Sequence, residues 1–80
     1  MLDPRVSRHM RLLDEKGLIE LPDYEAGSIA VIKMSPGVWE VQEWGQDFAE
    51  LQCTYRHQTR KQVEDHVSRW FRLVDQLDSL

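Results

Sequence analysis

The side chains best suited to chemistry near neutral pH are His9, His57, His66 and the single cysteine, Cys53. An imidazole exchanges protons in the physiological range, and a thiolate is a nucleophile and a soft metal ligand. Their settings favour neither use. His57 and His66 stand nine residues apart across a helix start, which is not a zinc-ligand spacing. Cys53 falls on the inward side of an alternating strand, where a thiol is normally an inert packing group. No serine or cysteine occupies a nucleophile elbow, and no glycine-rich phosphate loop follows a strand. Glu40 and Glu50 share a strand face, but an open and polar one, which offers no raised pKa for acid–base work. The expectation is a non-enzymatic protein with no catalytic residues, no metal site and no cofactor.

The elements that would position these residues centre on residues 28–57. Period-two alternation predicts three strands, SIAVIKM, VWEVQEW and FAELQCTYRH, as an antiparallel meander. Ser35-Pro36-Gly37 separates the first two: Pro36 presets φ for the second turn position, and Gly37 tolerates the positive φ of the third. Gly45-Gln46-Asp47 separates the last two. The expected register sets Met34 beside Trp39, Lys33 beside Glu40 and Ile32 beside Val41. Across the second loop it sets Val41 beside Leu51, Trp39 beside Cys53 and Trp44 beside Phe48. One face then carries Ala30, Ile32, Met34, Trp39, Val41, Ala49, Leu51, Cys53 and Tyr55 as a core, interrupted only by Glu43. The other is mostly polar, with Ile29, Trp44 and Phe48 in an apolar row at one end. That row reads either as an interface patch or as a local aromatic pair stabilising the hairpin.

A helix is expected on each side of the meander, both on one sheet face (α-β-β-β-α). Asp3 and Pro4 form a helix-start signal. Val6, Met10 and Leu13 recur at helical spacing, Leu12 widens the stripe, and Gly17 supplies a left-handed stop. Leu18, Ile19 and Leu21 give a strand or a packed loop, and residues 22–27 a loop into the meander. Thr59-Arg60-Lys61-Gln62 is a capping box. After it Val63, Val67, Trp70, Phe71, Val74 and Leu77 form an apolar stripe, expected to cover Trp39, Val41 and Leu51. Asp65 and Arg69 have ion-pair spacing.

With 80 residues, 41% hydrophobic and 30% charged, residues 1–80 make a single α+β domain and not a disordered chain. One cysteine excludes an intramolecular disulfide and fits a reducing, cytoplasmic setting. No apolar run approaches membrane-span length, and charges recur from Asp3 onward, unlike a signal peptide. Net charge is −4, and residues 20–50 carry −6, with Lys33 the only base among them. Such a surface is a poor non-specific binder of nucleic acid; the charge serves either solubility or a basic protein partner. The candidate partner-binding set is Ile29, Trp44 and Phe48 as anchors, ringed by Glu40, Glu43, Asp47 and Glu50; a homodimer through the same row would compete. Arg56, His57, Arg60 and Lys61 cluster where the last helix starts, a setting suited to an anion.

Residues 3–19 (DPRVSRHMRLLDEKGLI) resemble the recognition helix and first wing strand of MarR/ArsR-like winged-helix regulators. The resemblance implies DNA-facing Arg5, Ser7, Arg8 and His9, and core-facing Met10, Leu13 and Leu18. The order helix, three strands, helix is also similar to the double-stranded RNA-binding domain, although that family's basic cluster is replaced by Thr59-Arg60-Lys61-Gln62-Val63-Glu64. Size and charge are similar to small phage-encoded inhibitors such as anti-CRISPR proteins, a likeness of composition alone. The first expectation is therefore an acidic protein-interaction module that regulates or inhibits a larger partner, including a nucleic-acid-handling complex. The alternative is a nucleic-acid-binding regulator using Arg5, Arg8, Arg11, Arg56, Arg60 and Lys61.

Overall fold

The computed structural model describes the backbone of residues 3–24 and 27–78 and, within these, the side chains other than those of residues 22–24 and 78. The order is α1 (Pro4–Lys16), β1 (Leu18–Tyr24), β2 (Gly27–Ser35), β3 (Val38–Trp44), β4 (Leu51–His57) and α2 (Arg60–Asp78), with a short 3-10 turn at Gln46–Phe48. The strands form one antiparallel sheet in the order β1-β2-β3-β4. The class is α+β, but the meander has four strands and not three. The apolar exit from α1 is itself a strand, and it runs on into the expected loop as far as Tyr24. Glu25 and Ala26 of that loop lie outside the described residues.

Local chemistry sets the helix ends. Asp3 Oδ1 accepts from the Arg5 N–H at 2.8 Å and Pro4 opens α1. Gly17 closes it at φ 75°, its N–H donating to the Leu13 carbonyl at 2.8 Å. At α2 the capping box is complete: the Gln62 N–H donates to Thr59 Oγ1 at 3.1 Å, and the Thr59 N–H donates back to Gln62 Oε1 at 3.2 Å. The helices run antiparallel. Arg5, early in α1, reaches Asp75, late in α2, at 2.8 Å; Arg60, opening α2, reaches Asp14, late in α1, at 2.9 Å. The Arg5 guanidinium also lies over the Phe71 ring, 4.5 Å from its centroid. Asp65 takes Lys61 at 3.0 Å, at the same helical spacing that Arg69 offered on its other side.

Two register corrections follow from loops. The first turn forms as expected, with Gly37 at φ 77° and Ser35 paired with Val38. A bulge then intervenes between Lys33 and Ser35, so Lys33 pairs with Trp39, Ile32 with Glu40 and Val31 with Val41. One extra residue turns a whole strand over. Ile29 and Val31, expected outside, are therefore in the core at 0% exposure, and Met34, expected inside, is 49% exposed. Across the second loop Val41 pairs with Tyr55, Trp39 with His57, Glu43 with Cys53 and Trp44 with Leu51. The chain coils through Gln46–Phe48 before β4 begins, and the ladder shifts by four residues. An even shift keeps Cys53 and Tyr55 on the expected face. They are nonetheless exposed, because α2 covers β4 only in part, with His66 meeting Tyr55 and His57; Leu51, past the bulge and opposite Trp44, is exposed too.

The core is one cluster: Val6, Met10 and Leu13 of α1, Val63, Val67, Trp70, Phe71 and Val74 of α2, and Ile19, Leu21, Ile29, Val31, Trp39 and Val41 of the sheet. Both helices thus pack on one sheet face. On the opposite face the 3-10 turn folds back onto β1 and β2. Ser28 and Ala30 are buried on that side.

Candidate functional site

The predicted partner-binding residues separate into three groups. Ile29 is a core residue with no exposed surface and cannot be an anchor. Trp44, Asp47, Phe48 and Glu50 meet at one corner of the outer face. Trp44 and Phe48 are half-buried, their rings edge-to-face with centroids 6.0 Å apart. They are not ladder partners, since Trp44 pairs with Leu51. The turn itself brings Phe48 back, its N–H donating to Ser28 Oγ at 3.2 Å. Gly27 makes room: a Cβ there would stand 2.4 Å from the Trp44 carbonyl oxygen. Asp47 and Phe48 both sit in the left-handed region, at φ 56° and 55°. Aspartate tolerates that conformation, but a bulky phenylalanine there costs on the order of 1–3 kcal/mol. Asp47 and Glu50 are exposed beside the rings.

Glu40 and Glu43 are already engaged. Glu40 accepts from Gln42 Nε2 at 2.7 Å and faces Arg56 Nε at 3.5 Å. Gln42 in turn accepts from Trp44 Nε1 at 3.2 Å, so a polar chain runs along β3 from the corner to Arg56. Glu43 lies on the other face, at the uncovered end of the core.

There the structure assembles a group that sequence spacing had dismissed. His66 Nε2 stands 3.0 Å from Glu43 Oε1, and His66 Nδ1 stands 2.8 Å from His57 Nε2. The Tyr55 ring lies edge-on to His66 at 4.8 Å. His66 is 7% exposed, its ring between α2 and the sheet. With Glu43 accepting from Nε2–H, His66 Nδ1 is the acceptor and His57 the donor, an orientation two neutral imidazoles can share. Burial, then the neighbouring His66 and Arg69, push the His57 pKa below its ordinary value. Cys53, expected in the core, is exposed on this face beside Tyr55. The adjacent Cys53 side chain and the Glu43 charge push the Tyr55 hydroxyl up. The chain can hold and pass a proton between α2 and β4. Among the described residues, no group of three or more His, Cys, Asp and Glu is arranged to hold a metal ion. Two signals marked the group in the sequence: Glu43 as the lone polar residue of its face, and His66 three residues past Val63 on the apolar side of α2.

The basic residues are mostly neutralised. Arg5 is held by Asp3 and Asp75, whose hydrogen bonds push its pKa further up. Arg56 faces Glu40, Arg60 binds Asp14 and Glu64, and Lys61 binds Asp65 and Glu64. The basic cluster at the start of α2 is thus turned to the protein's own carboxylates, and the helix start itself to its capping box. Arg8 and Arg11 are exposed on α1. His9 is turned inward, its Nδ1 2.6 Å from the Arg5 carbonyl oxygen and its ring 5.8 Å from Phe71. Leu18, expected in the core, is 43% exposed.

Compared with known proteins, the chain matches no family model, no curated protein and no solved structure. No helix among the described residues is long and apolar enough to cross a membrane.

Proposed function

We propose that this chain is a non-enzymatic, acidic interaction protein that docks on a larger partner with a basic surface and regulates or inhibits it. Its contact is the corner formed by Trp44, Asp47, Phe48 and Glu50. The observation that carries the reading is the turn. Two successive non-glycine residues are held at positive φ, and the result is a half-exposed aromatic pair with two unshielded carboxylates beside it. Strain of this kind persists where the surroundings enforce it, and it concentrates at ligand clamps and switch regions. Aromatic anchors supply affinity, and a charged rim supplies steering. The acidic charge of residues 20–50 selects a basic partner surface. A cytoplasmic inhibitor of a nucleic-acid-handling complex, similar in size and charge to phage-encoded inhibitors, is the specific form of this proposal. The nucleic-acid-binding alternative has less behind it, because four of its six basic residues are spent on ion pairs within the chain.

The test compares wild type with a Trp44→Ala/Phe48→Ala variant as bait. A captured protein counts once it is purified and shown to bind directly. The variant, checked as folded by circular dichroism, should bind at least about ten-fold more weakly. Asp47→Asn/Glu50→Gln should reduce the dependence of association on salt. Undiminished binding by the folded double variant removes the corner as the contact. Direct binding of generic duplex DNA with a steep salt slope moves the function to Arg8 and Arg11.

A further inference from the structure

Two ties hold β4 in the fold. Its backbone pairs with β3 alone. Its inner face meets the helix layer where His66 of α2 stands 2.8 Å from His57 and edge-on to Tyr55. Every residue from Leu51 to Arg56 is exposed, so burial adds little to those ties. α2, by contrast, is seated in the core by Val63, Val67, Trp70, Phe71 and Val74. The contact between β4 and α2 can therefore break while the core stays packed.

That contact is built from titratable groups. Around His66, β3 supplies Glu43, and β4 supplies His57 and Tyr55, with Cys53 beside the tyrosine. α2 itself supplies Arg69, whose charge acts on His57. Glu40 and Arg56 lie on the outer face and pair with each other. The two imidazoles meet almost head-on, with centroids 5.1 Å apart and facing nitrogens 2.8 Å apart. One proton fits between those nitrogens. In the neutral pair it belongs to His57 Nε2 and is accepted by His66 Nδ1, while His66 Nε2–H donates to Glu43. One added proton is accommodated. It enters at His57 Nδ1, the shared proton moves to His66, and the positive charge rests beside the Glu43 carboxylate in a charge-assisted bond. A second added proton is not. It places an N–H on both facing nitrogens, donor against donor, and sets two cations in contact.

We infer that the Glu43–His66–His57 chain is an acid-operated latch: with no added proton or one it holds β4 to α2, and with two it releases the strand. The second step is resisted by burial of His57 and by the neighbouring His66, the same causes that push the His57 pKa down. Released, β4 opens from its His57 end as a unit smaller than the whole fold. Histidine clusters that take up protons at about pH 5–6 switch interfaces in this way. The latch stands apart from the Trp44–Phe48 corner and needs no partner.

Native-state hydrogen exchange followed by NMR tests the inference on the whole chain. The β4 amides bonded to β3 should exchange through an opening of lower free energy than the one that exposes the Ile29 and Val31 amides of the central strand β2. Their protection, corrected for intrinsic rates, should fall about 3- to 30-fold from about pH 7.5 to about pH 5, the span that one imidazole of ordinary pKa 6.5 can supply. His57→Gln cannot take the second proton and should flatten the fall. Glu43→Gln leaves even the first proton without its carboxylate, so release takes up two protons and the fall should steepen. β4 amides as well protected as those of Ile29 and Val31 overturn the inference, because the strand then leaves only with the whole fold. So does wild-type β4 protection that does not change over this pH interval. A folded His57→Gln variant that keeps the full fall, or a Glu43→Gln variant no steeper than wild type, overturns it as well.

Discussion

The two edges of the sheet are equally long and differently treated. β1 and β4 each run for seven residues. β1 carries Pro22, which has no backbone N–H to offer, and the exposed Glu20. Its apolar side chains Ile19 and Leu21 are 5% exposed under the helices. β4 carries one charge and no proline, and its apolar side chains Leu51 and Tyr55 are 46% and 40% exposed. An edge is closed by two separate devices: residues that spoil pairing, and a layer that buries the inner face. β1 has both. β4 has only a bulge, and its main tie to the helix layer is the His57–His66 contact.

Truncating one leucine on each edge should separate them most clearly. Leu21→Ala should cost about 2–5 kcal/mol, as a buried leucine does. Leu51→Ala should cost less than about 1 kcal/mol, since a half-exposed side chain loses little burial. Urea titrations of the two variants decide it; equal losses would mean that β4 is covered after all. Next in size is Gly27→Ala, where β1 meets β2. Its methyl group would stand 2.4 Å from the Trp44 carbonyl oxygen, on a backbone at φ 109°. A loss of about 1–3 kcal/mol is expected, read as a lower midpoint in the same titration.

Acid should reach the β4 side first. The folded pKa of His57 lies below its ordinary 6.5, so below that pH the unfolded chain binds more protons and stability falls. Asp3, Asp14 and Asp75 are held below their ordinary 3.8 mainly by hydrogen bonds from Arg5 and Arg60. Their contribution is complete above that value and is lost as pH falls through the depressed values. Melting temperature against pH should therefore decline in two stages, and His57→Gln should remove the upper one. A single decline below pH 4 in wild type would refute the assignment to His57. The smallest effect is expected in the turn before β4. Asp47→Gly accepts the left-handed φ of 56° without strain and should raise stability by about 0.5–1 kcal/mol. Weaker partner binding by that more stable variant would show that Asp47 serves contact at the expense of the fold.

The site was only partly legible, for reasons visible in single residues. The Trp44–Phe48 contact was anticipated, although by the wrong route: a compact turn brings the rings together, and not a ladder pair. Ile29 was assigned to the wrong face because the extra residue in the β2 bulge reversed β2. Glu40 and Glu43 read as rim charges, while in the fold each has a partner on another strand or helix. The histidine pair was missed because nine residues of separation in the chain say nothing of distance once a strand and a helix fold side by side.

What the sequence determined by itself is what closes within a few residues. The caps at Asp3, Gly17 and Thr59–Gln62, the Pro36–Gly37 turn and the apolar stripes of both helices each form from neighbouring groups, so composition and spacing suffice. The tertiary structure decided which face of β2 is buried, where β4 begins, and that β4 is covered only in part. Those outcomes depend on sums along the chain. One bulged residue inverts a strand, one coiled turn shifts a ladder by four, and the reach of α2 sets which strands it shields.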